Sequence, residues 1–393
     1  MIEYKRKRAF AKRTYKEAKR NSWKAYVTTL NTHTPAKVVW DRLNKIRGNY
    51  HSFSLPLLQA NGNTCQTLQE QADIFGEHFQ SVSSSDHYAQ NFQKIKANSE
   101  RKKISFVGHN DAPYNKPFTM AELKRALASS KQTAPGPDGI HYSMLMHLNS
   151  TSLDTLLSFF NKVWVEGTLP SRWKLATIIP ILKPGKEPNA PSSYRPIALT
   201  CCLGKVFERI VSHRLMYFIH KNDILDRNQC GFREGYSTMD HIIRLETTIR
   251  ESFVKSQHCL SIFFDLKRAY DTTWRYGIVQ DLYSYGVRGR MLHIIHDFLQ
   301  DRLFRVRVGT TYSRTFQQEN GVPQGSVLSV TLFIIKINSI ANVIPPNVSY
   351  SLYVDDVQLS YSSSNLAIAE RQLQLATNKI SSWATRNGFA FSS

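Results

Sequence analysis

Cysteine is scarce in this chain of 393 residues. The sequence has five cysteines, and no two of them have the spacing of a Cys-x-x-Cys pair. An odd number without such a pair argues against a disulfide framework and against a zinc knuckle. We therefore predict reduced, buried cysteines in an intracellular protein. The cysteines are Cys65, Cys201, Cys202, Cys230 and Cys259.

Long apolar segments are absent, and acidic residues are few. No run of about 18 apolar residues occurs, so we expect no membrane span. The first residues lack the apolar segment of a secretory signal. Asp and Glu together number 30 against 51 Lys and Arg, which gives a formal net charge of +21. This excess predicts a polyanionic partner, with nucleic acid ahead of an anionic membrane surface.

Much of the positive charge lies at the start of the chain. Residues 1–30 contain ten Lys or Arg residues and only two acidic ones. Phe10, Trp23 and Tyr26 recur at near-helical spacing, which predicts a basic helical arm over this segment. Three interpretations stay open: a solvated helix face, an arm on template RNA or the phosphate backbone, and a nuclear-import signal.

Two adjacent carboxylates, Asp355 and Asp356, mark the most informative segment. They end the sequence Tyr-Val-Asp-Asp at 353–356, and the flanking residues alternate between apolar and polar. This alternation predicts two strands of a hairpin, with carboxylates where Asn-Gly or Asp-Gly would be common. Asp265 ends another apolar run. Carboxylates at two strand ends can build a two-metal site for phosphoryl transfer, whereas an ordinary turn and a helix cap are the structural alternatives.

Several short blocks occur in an order that resembles a reverse transcriptase. Residues 264–271 (Phe-Asp-Leu-Lys-Arg-Ala-Tyr-Asp), 321–326 (Gly-Val-Pro-Gln-Gly-Ser) and 353–356 resemble its motifs A, B and C. Two upstream blocks, Ala-Pro-Gly-Pro-Asp-Gly-Ile at 134–140 and Ser-Tyr-Arg-Pro-Ile-Ala-Leu at 193–199, are similar to amino-terminal blocks of non-LTR retrotransposon polymerases. The sequence following motif A looks like the Jockey-type arthropod branch. The resemblance extends over about residues 1–393.

The resemblance implies an α+β fold, a right-hand polymerase whose antiparallel palm sheet is backed by helices. After the arm, we expect a linker or N-terminal extension over 31–118. Fingers and the N-terminal blocks should cover 119–255, and a palm with motifs A, B, C and part of D should cover 256–393. A thumb, a primer grip and the lysine after motif D are not found in the sequence.

The resemblance also assigns the metal site. Asp265 and Asp355 are expected to bridge two Mg²⁺ ions, with Mn²⁺ as the alternative, because hard cations prefer carboxylate oxygens. Asp356 should add a weaker contact and the Leu266 carbonyl a further ligand. The ions would stabilise the attacking and leaving oxygens as a 3′-hydroxyl attacks an α-phosphate.

Four further residues are expected to contact the nucleotide. Tyr270 matches the aromatic residue that lies under the incoming sugar and excludes a 2′-hydroxyl. Gln324 should contact the nucleotide or the template base. Arg195 should clamp the triphosphate with Lys183 as its companion, because guanidinium binds phosphate in a fork. The alternatives are a packed aromatic ring for Tyr270, a loop-to-helix turn for Gln324 and solvated charges for the two cations.

Glycine-rich loops supply the remaining candidates. Gly136, Asp138 and Gly139 resemble a template-contacting loop, with a purely structural loop as the alternative. Gly325 would allow the backbone to approach template or primer closely. Asp271 is expected to cap or orient a neighbour, not to bind metal.

Local patterns predict further elements. Thr119 and Glu122 form a capping box ahead of a helix, and Ser326 can cap a helix that runs to about residue 340. An Asn-Gly pair at 61–62 suggests a hairpin turn. Residues 68–80, 143–164, 238–255 and 366–385 have helical patterns, 197–219 should be mainly helical, and 81–115 should be mainly loop.

These features predict an RNA-directed DNA polymerase of a non-LTR retrotransposon, acting with an RNA template, a DNA primer and dNTPs. It should be intracellular, in the nucleus or the cytoplasm, without a membrane partner; protein partners are not specified by the sequence. Two alternatives stay open. One is a non-catalytic nucleic-acid-binding remnant of such an element, and the other is an RNA-dependent RNA polymerase, against which Tyr270 argues.

Overall fold

The computed structural model describes residues 2–30, 43, 58–60, 63–65, 67–108 and 110–392. The chain divides into two compact units, Met1–Pro56 and Leu57–Ser393. In the first unit, helix α1 (Ile2–Val27) confirms that the basic segment is helical. Its side chains are mostly exposed, Phe10 by 72%. Most of the expected linker before residue 58 lies outside the described residues.

The second unit mixes helices with mainly antiparallel sheets, which confirms the coarse part of the fold prediction. Its described helices are α2 (Leu68–Ser83), α3 (Gln90–Glu100), α4 (Met120–Ala128), α5 (Tyr142–Met146), α6 (Ser150–Glu166), α7 (Ser171–Lys174), α8 (Cys202–Lys221), α9 (Thr238–Val254), α10 (Ala269–Thr272), α11 (Arg275–Ser284), α12 (Gly289–Leu299), α13 (Val327–Ile337) and α14 (Leu366–Asn387). A 3₁₀ helix, Asn338–Val343, follows α13 directly.

The described strands are β1 (Gln59–Ala60), β2 (Asn63–Thr64), β3 (Leu175–Leu182), β4 (Tyr194–Leu199), β5 (His258–Asp265), β6 (Leu303–Val308), β7 (Thr311–Tyr312), β8 (Phe316–Gln317), β9 (Ser349–Tyr353) and β10 (Asp356–Ser363). One sheet has the order β5-β10-β9, and a second has the order β4-β3-β6-β7 with β8 also paired to β6. All pairs are antiparallel except β3 with β6. The strands β1 and β2 pair around the expected Asn-Gly turn, whose two residues lie outside the described part of the chain.

The β5-β10-β9 sheet has two chemically different faces. Side chains alternate along a strand, so the row Leu352–Val357–Phe264 belongs to one face and the row Ser351–Gln358–Phe263 to the other. The first face packs with α13 and α14 in an apolar core. On the second face α9 contacts the sheet through polar groups, as in the bond of 2.6 Å between His241 Nδ1 and Ser351 Oγ. The sheet therefore has one face in the apolar core and an opposite face on which polar side chains such as Ser351 and Gln358 are buried.

Several helix predictions are confirmed. Thr119 and Glu122 form the expected capping box. Helix α2 confirms the helical pattern over 68–80 and buries Ala72, Phe75 and Phe79, whereas Leu68 is exposed. Helix α14 ends at Gly388, whose φ of 76° lies in the left-handed region that glycine adopts easily.

Other predictions are wrong. Residues 81–115 are more ordered than a loop-rich segment, because α3 lies within them and Phe92, 1% exposed, packs edge-on against Trp274. The single helix expected over 143–164 is two helices, because Asn149 caps α6 through a bond from the Ser152 amide of 2.8 Å. The segment 197–219 is mainly helical as expected, through α8, but its first residues, 197–199, belong to β4.

The cap of α13 differs from expectation. Ser326 occupies the cap position, but its hydroxyl bonds to the Glu208 carboxylate. Glu208 Oε2 in turn accepts the Val327 amide at 2.8 Å and the Leu328 amide at 3.2 Å. A buried carboxylate at a helix N-terminus is stabilised by the free amides and the helix dipole. The helix that follows the Gly-Val-Pro-Gln-Gly-Ser loop is thus fixed by a residue far away in sequence.

Candidate active site

The predicted hairpin carries carboxylates to the polar face of the sheet. Asp356 begins the central strand β10 and lies opposite Tyr353 on one side and opposite Asp265 on the other. Directly opposed residues in antiparallel strands have Cβ atoms about 5 Å apart and point to the same face. Asp355 lies in the two-residue turn between β9 and β10. Chain segments ninety residues apart therefore bring three carboxylates to one end of the sheet.

These carboxylates disturb one another. Burial raises the pKa of Asp355, and the charges of Asp356 and Asp265 raise it further, whereas Arg195 lowers it. Burial and the charge of Asp265 also raise the pKa of Asp356, against the influence of His241. Negative charge is therefore under-compensated at this end of the sheet. A cation bound there would remove the repulsion.

The first carboxylate is tied to a late segment of the chain. Ser392 donates its amide to the Asp265 carbonyl and its hydroxyl to Asp265 Oδ2, each at 2.8 Å. The Lys267 amide donates to the Ala390 carbonyl at 2.8 Å. Leu266 is buried and forms an isolated bridge with Phe391. The segment around residues 389–392 thus supports motif A, while a metal contact of the Leu266 carbonyl stays a prediction.

Tyr270 has features of both roles expected for it, a packed aromatic ring and a ring beside the nucleotide site. Its ring stacks on Phe333 with centroids 4.6 Å apart and planes 20° from parallel. Burial raises its pKa, and the charge of Asp355 raises it further, so the phenol is near that carboxylate. Its carbonyl accepts the Val322 amide at 2.8 Å, which joins motif A to the motif B loop. The ring is held in place by packing, close to the expected metal ligands.

Gln324 is held from two sides. Its Nε2 donates to Asp271 Oδ1 at 2.9 Å, and its carbonyl accepts the Ala198 amide at 2.7 Å. Gly325 has φ of 134°, and a Cβ there would collide with the Ala198 carbonyl. Burial raises the pKa of Asp271 to about 6, against the opposing effects of Gln324 and nearby cations. Asp271 therefore orients a neighbour, as expected, and Gly325 lets the loop lie flat on β4.

A group of cations faces the same region. Arg195 is exposed on β4, and Lys183 follows β3 with its ammonium donating to the Ser192 carbonyl at 2.9 Å. Burial lowers the pKa of Lys183, and the charges of Arg268 and Arg195 lower it further. Arg268 was not among the residues predicted from the sequence, where it is one basic residue of the motif A block at 264–271. Three cations that repel one another are suited to bind a polyphosphate.

The glycine-rich loop at 134–139 makes structural contacts. Asp138 accepts the Cys201 thiol at 2.6 Å and the Ile140 amide at 3.3 Å. A Cβ on Gly136 would collide with the backbone at Thr200 and Cys201. Gly139 has φ of 69°, which a glycine adopts without strain. These contacts shape the loop against the start of α8; template contact by Gly136, Asp138 and Gly139 stays a prediction.

The donor set fits divalent cations. Asp265, Asp355 and Asp356 offer hard oxygen ligands in a region where negative charge is under-compensated. Among the described residues, no three His, Cys, Asp or Glu side chains converge closely enough to enclose a metal ion. The binding of Mg²⁺ or Mn²⁺ by these three carboxylates therefore stays a prediction.

Two composition-based predictions can be compared with the structure. All five cysteines are free, and four are buried as expected, while Cys259 is partly exposed. Within the described part of the chain, no helix combines the length and the apolar character that crossing a membrane requires.

Known proteins with similar sequences identify the family of this chain. Residues 181–393, more than half of the chain, match the family described as reverse transcriptase (RNA-dependent DNA polymerase). The chain is 28% identical over 351 residues to a probable RNA-directed DNA polymerase from transposon BS of Drosophila melanogaster, covering 84% of this chain and 37% of that protein.

Two more relatives come from mobile elements. A probable RNA-directed DNA polymerase from transposon X-element of Drosophila melanogaster is 29% identical over 344 residues, which cover 84% of this chain and 36% of the relative. The RNA-directed DNA polymerase from mobile element jockey of Drosophila funebris is 27% identical over 337 residues, covering 83% and 36%. The chain spans just over a third of the length of these curated relatives. The resemblance to Jockey-like non-LTR elements is confirmed, and the chain belongs to the reverse transcriptase family.

Proposed function

We propose that this chain carries the polymerase active site of a non-LTR retrotransposon and copies an RNA template into DNA from a primer 3′-hydroxyl. The observation that carries the proposal is the strand register that sets Asp356 opposite Asp265 and leaves Asp355 in the adjoining turn. Two strand ends then present three carboxylates at one place, which is the donor arrangement of a two-metal phosphoryl-transfer site.

Each part of the site has a task in this reaction. Asp265 and Asp355 would hold two Mg²⁺ ions, or Mn²⁺ in their place, with Asp356 and the Leu266 carbonyl as additional ligands. When bound, the ions supply charge stabilisation to the attacking and leaving oxygens. The remaining tasks fall to side chains that bind and orient the nucleotide.

The cations and the motif B loop would receive the dNTP. Arg195, Lys183 and Arg268 would bind its triphosphate, since their mutual repulsion falls when an anion enters. The Tyr270 ring, fixed by stacking on Phe333, would occupy the space that a 2′-hydroxyl requires. Gln324, oriented by Asp271, would contact the nucleotide or the template base.

The larger architecture follows from the same proposal. The β5-β10-β9 sheet with α13 and α14 would be the palm of a right-hand polymerase, and the sheet that holds β3 and β4 would belong to the fingers. The basic helix α1 would lie along nucleic acid, because ten cations in its segment favour phosphate contacts. We place the reaction in the nucleus, in line with an import role for the same basic residues.

Primer extension on an RNA template tests the proposal. Asp265→Asn should lower Mg²⁺-dependent incorporation of dNTPs by about a thousandfold or more while RNA–DNA binding persists. Asp154→Asn, an exposed position on α6, is the matched control and should not change the rate. Equal activity of Asp265→Asn and the unmodified chain would overturn the metal-site assignment.

Two other results would select a competing function. Binding of RNA–DNA without any incorporation, under conditions where a known reverse transcriptase is active, would favour a non-catalytic remnant. A preference of the unmodified chain for ribonucleotides would favour an RNA-dependent RNA polymerase.

A further inference from the structure

A partly buried segment covers the outer edge of the hairpin that carries Asp355 and Asp356. The sheet order leaves β9 at an edge, where its backbone groups need partners. The Leu352 amide donates to the Asn228 carbonyl and the Cys230 amide donates to the Leu352 carbonyl, each at 2.9 Å. We name residues 226–233 the hairpin strap. It adds a short parallel bridge beside β9, next to the turn that holds Asp355.

One side chain of the hairpin strap reaches the turn itself. Gln229 is 0% exposed. Its Oε1 accepts the Val354 amide at 3.1 Å and the Gly231 amide at 2.9 Å. Val354 is the first residue of the two-residue turn and Asp355 the second. The side-chain oxygen of Gln229 thus connects the backbone of the hairpin strap, at Gly231, with the backbone of the turn, at Val354.

The turn needs such support because its conformation is strained. Val354 has φ of 61°, in the left-handed region that β-branched residues rarely adopt. Conformations of this kind persist only where the surroundings hold them. Val354 is also buried, so its amide cannot turn to water for a replacement acceptor. The hydrogen bond from the Val354 amide to Gln229 Oε1 therefore stabilises the conformation that sets the direction of Asp355 and Asp356.

The hairpin strap is itself anchored. The Tyr350 hydroxyl donates to Asp226 Oδ2 at 2.8 Å, which ties the strap to β9. Arg244 on α9 donates to Asn228 Oδ1 at 2.9 Å. Gly231 lies so close to the turn that a Cβ there would be 2.6 Å from the Val354 nitrogen. The hairpin strap is therefore in close contact with the turn, and its bonds to α9 and β9 can fix the position of the turn.

We propose that Gln229 is a positioning residue for the polymerase reaction: it holds Val354 in its left-handed conformation and so directs Asp355 and Asp356 toward the proposed metal ions. Gln229 acts through the Val354 backbone and does not touch substrate. Its consequence for catalysis rests on the proposed function, whereas the structural part can be tested without any activity.

The structural test is amide hydrogen exchange. Gln229→Met keeps the length of the side chain and removes the acceptor oxygen, so exchange in a peptide spanning 349–359 should quicken by about tenfold or more. The matched control is Gln71→Met at a glutamine that is 4% exposed on α2, and it should leave that peptide unchanged. Unchanged exchange in Gln229→Met would overturn the inference, whatever the enzymatic activity.

The catalytic test compares kcat with KM and uses a second variant. Gln229→Met should lower kcat by at least about tenfold with little change in KM for the dNTP, since misplaced catalytic groups slow the chemical step. In a Val354→Gly background the same substitution should cost less than about threefold, because glycine adopts the positive φ without help. An equal loss in both backgrounds, or faster exchange with an unchanged kcat, would overturn the positioning role.

Amide exchange and dNTP incorporation test the positioning role of Gln229 and the proposed polymerase function separately. If the unmodified chain shows no incorporation at all, the proposed function fails for this chain. The exchange of the turn amides then still decides whether Gln229 holds Val354.

Discussion

Removal of the Tyr270 ring should open the nucleotide site to ribonucleotides. The ring is fixed by its stack on Phe333, and its phenol is near enough to Asp355 for that charge to raise its pKa. Tyr270→Val removes the ring and leaves space where a 2′-hydroxyl would lie. A steric gate worth about 3 kcal/mol corresponds to a change of more than a hundredfold in discrimination. The ratio of kcat/KM for rNTP and dNTP on one primer–template should shift by about that factor.

Packing alone predicts a different outcome. Loss of a half-buried aromatic ring that stacks on a fully buried Phe333 should destabilise the fold by about 1–3 kcal/mol. That loss lowers the amount of folded enzyme, but it affects both nucleotides equally and leaves their ratio unchanged. Denaturant unfolding of Tyr270→Val measures the packing effect separately from sugar choice.

Two control variants make the assay specific. Tyr270→Phe keeps the ring and removes only the hydroxyl, so discrimination should stay within about twofold of the unmodified chain. Phe333→Leu weakens the stack from the other side while Tyr270 remains in place. If Tyr270→Val leaves the rNTP to dNTP ratio within about twofold, the ring serves packing and the steric argument is refuted.

Two further predictions concern charges around the motif B loop and the triphosphate. Burial raises the pKa of Asp271 from an ordinary value near 3.8 to about 6 in the folded chain. Because the folded chain holds this proton more tightly, its free energy of unfolding should fall as pH rises through this window, by about 3 kcal/mol relative to Asp271→Asn. Urea unfolding of both chains from pH 4 to pH 7 should show this slope, and parallel curves for the two chains would contradict the burial argument. Arg268→Ala should raise the KM for the dNTP by about tenfold or more, because a charged phosphate contact is lost. Lys162→Ala, at an exposed position on α6, should leave the KM unchanged. An unchanged KM in Arg268→Ala would show that Arg268 does not belong to the cation group.

The hairpin and the ends of the helices could be predicted because their determinants are local. Alternation around Tyr353, the capping pair Thr119 and Glu122, and the glycine after α14 each act within a few residues. The strand β4 was missed for the opposite reason. Its few apolar residues run directly into the helical pattern of α8, and only pairing with β3 identifies them as a strand.

The supports of the site could not be predicted from local sequence. Gln229 and Val354 are 125 positions apart, and a lone glutamine before Cys-Gly-Phe carries no local signal of a buried acceptor. Glu208 reads as an ordinary charged helix position, yet it caps α13 more than 100 residues away. Such long-range bonds depend on which elements meet in space, and periodicity within one element cannot specify that meeting.

The site places like charges close together, which is unfavourable for the folded chain without a ligand. Asp265, Asp355 and Asp356 repel one another at one end of the sheet, and Arg195, Lys183 and Arg268 repel one another beside it. Arg195 is near enough to Asp355 to offset part of the repulsion, and Asp271 offsets part of the repulsion that acts on Lys183. A nucleoside triphosphate with divalent cations carries both missing charges in one ligand, positive toward the carboxylates and negative toward the arginines. Under the proposed function, the hairpin strap would hold the turn beside these like charges in place before such a ligand binds.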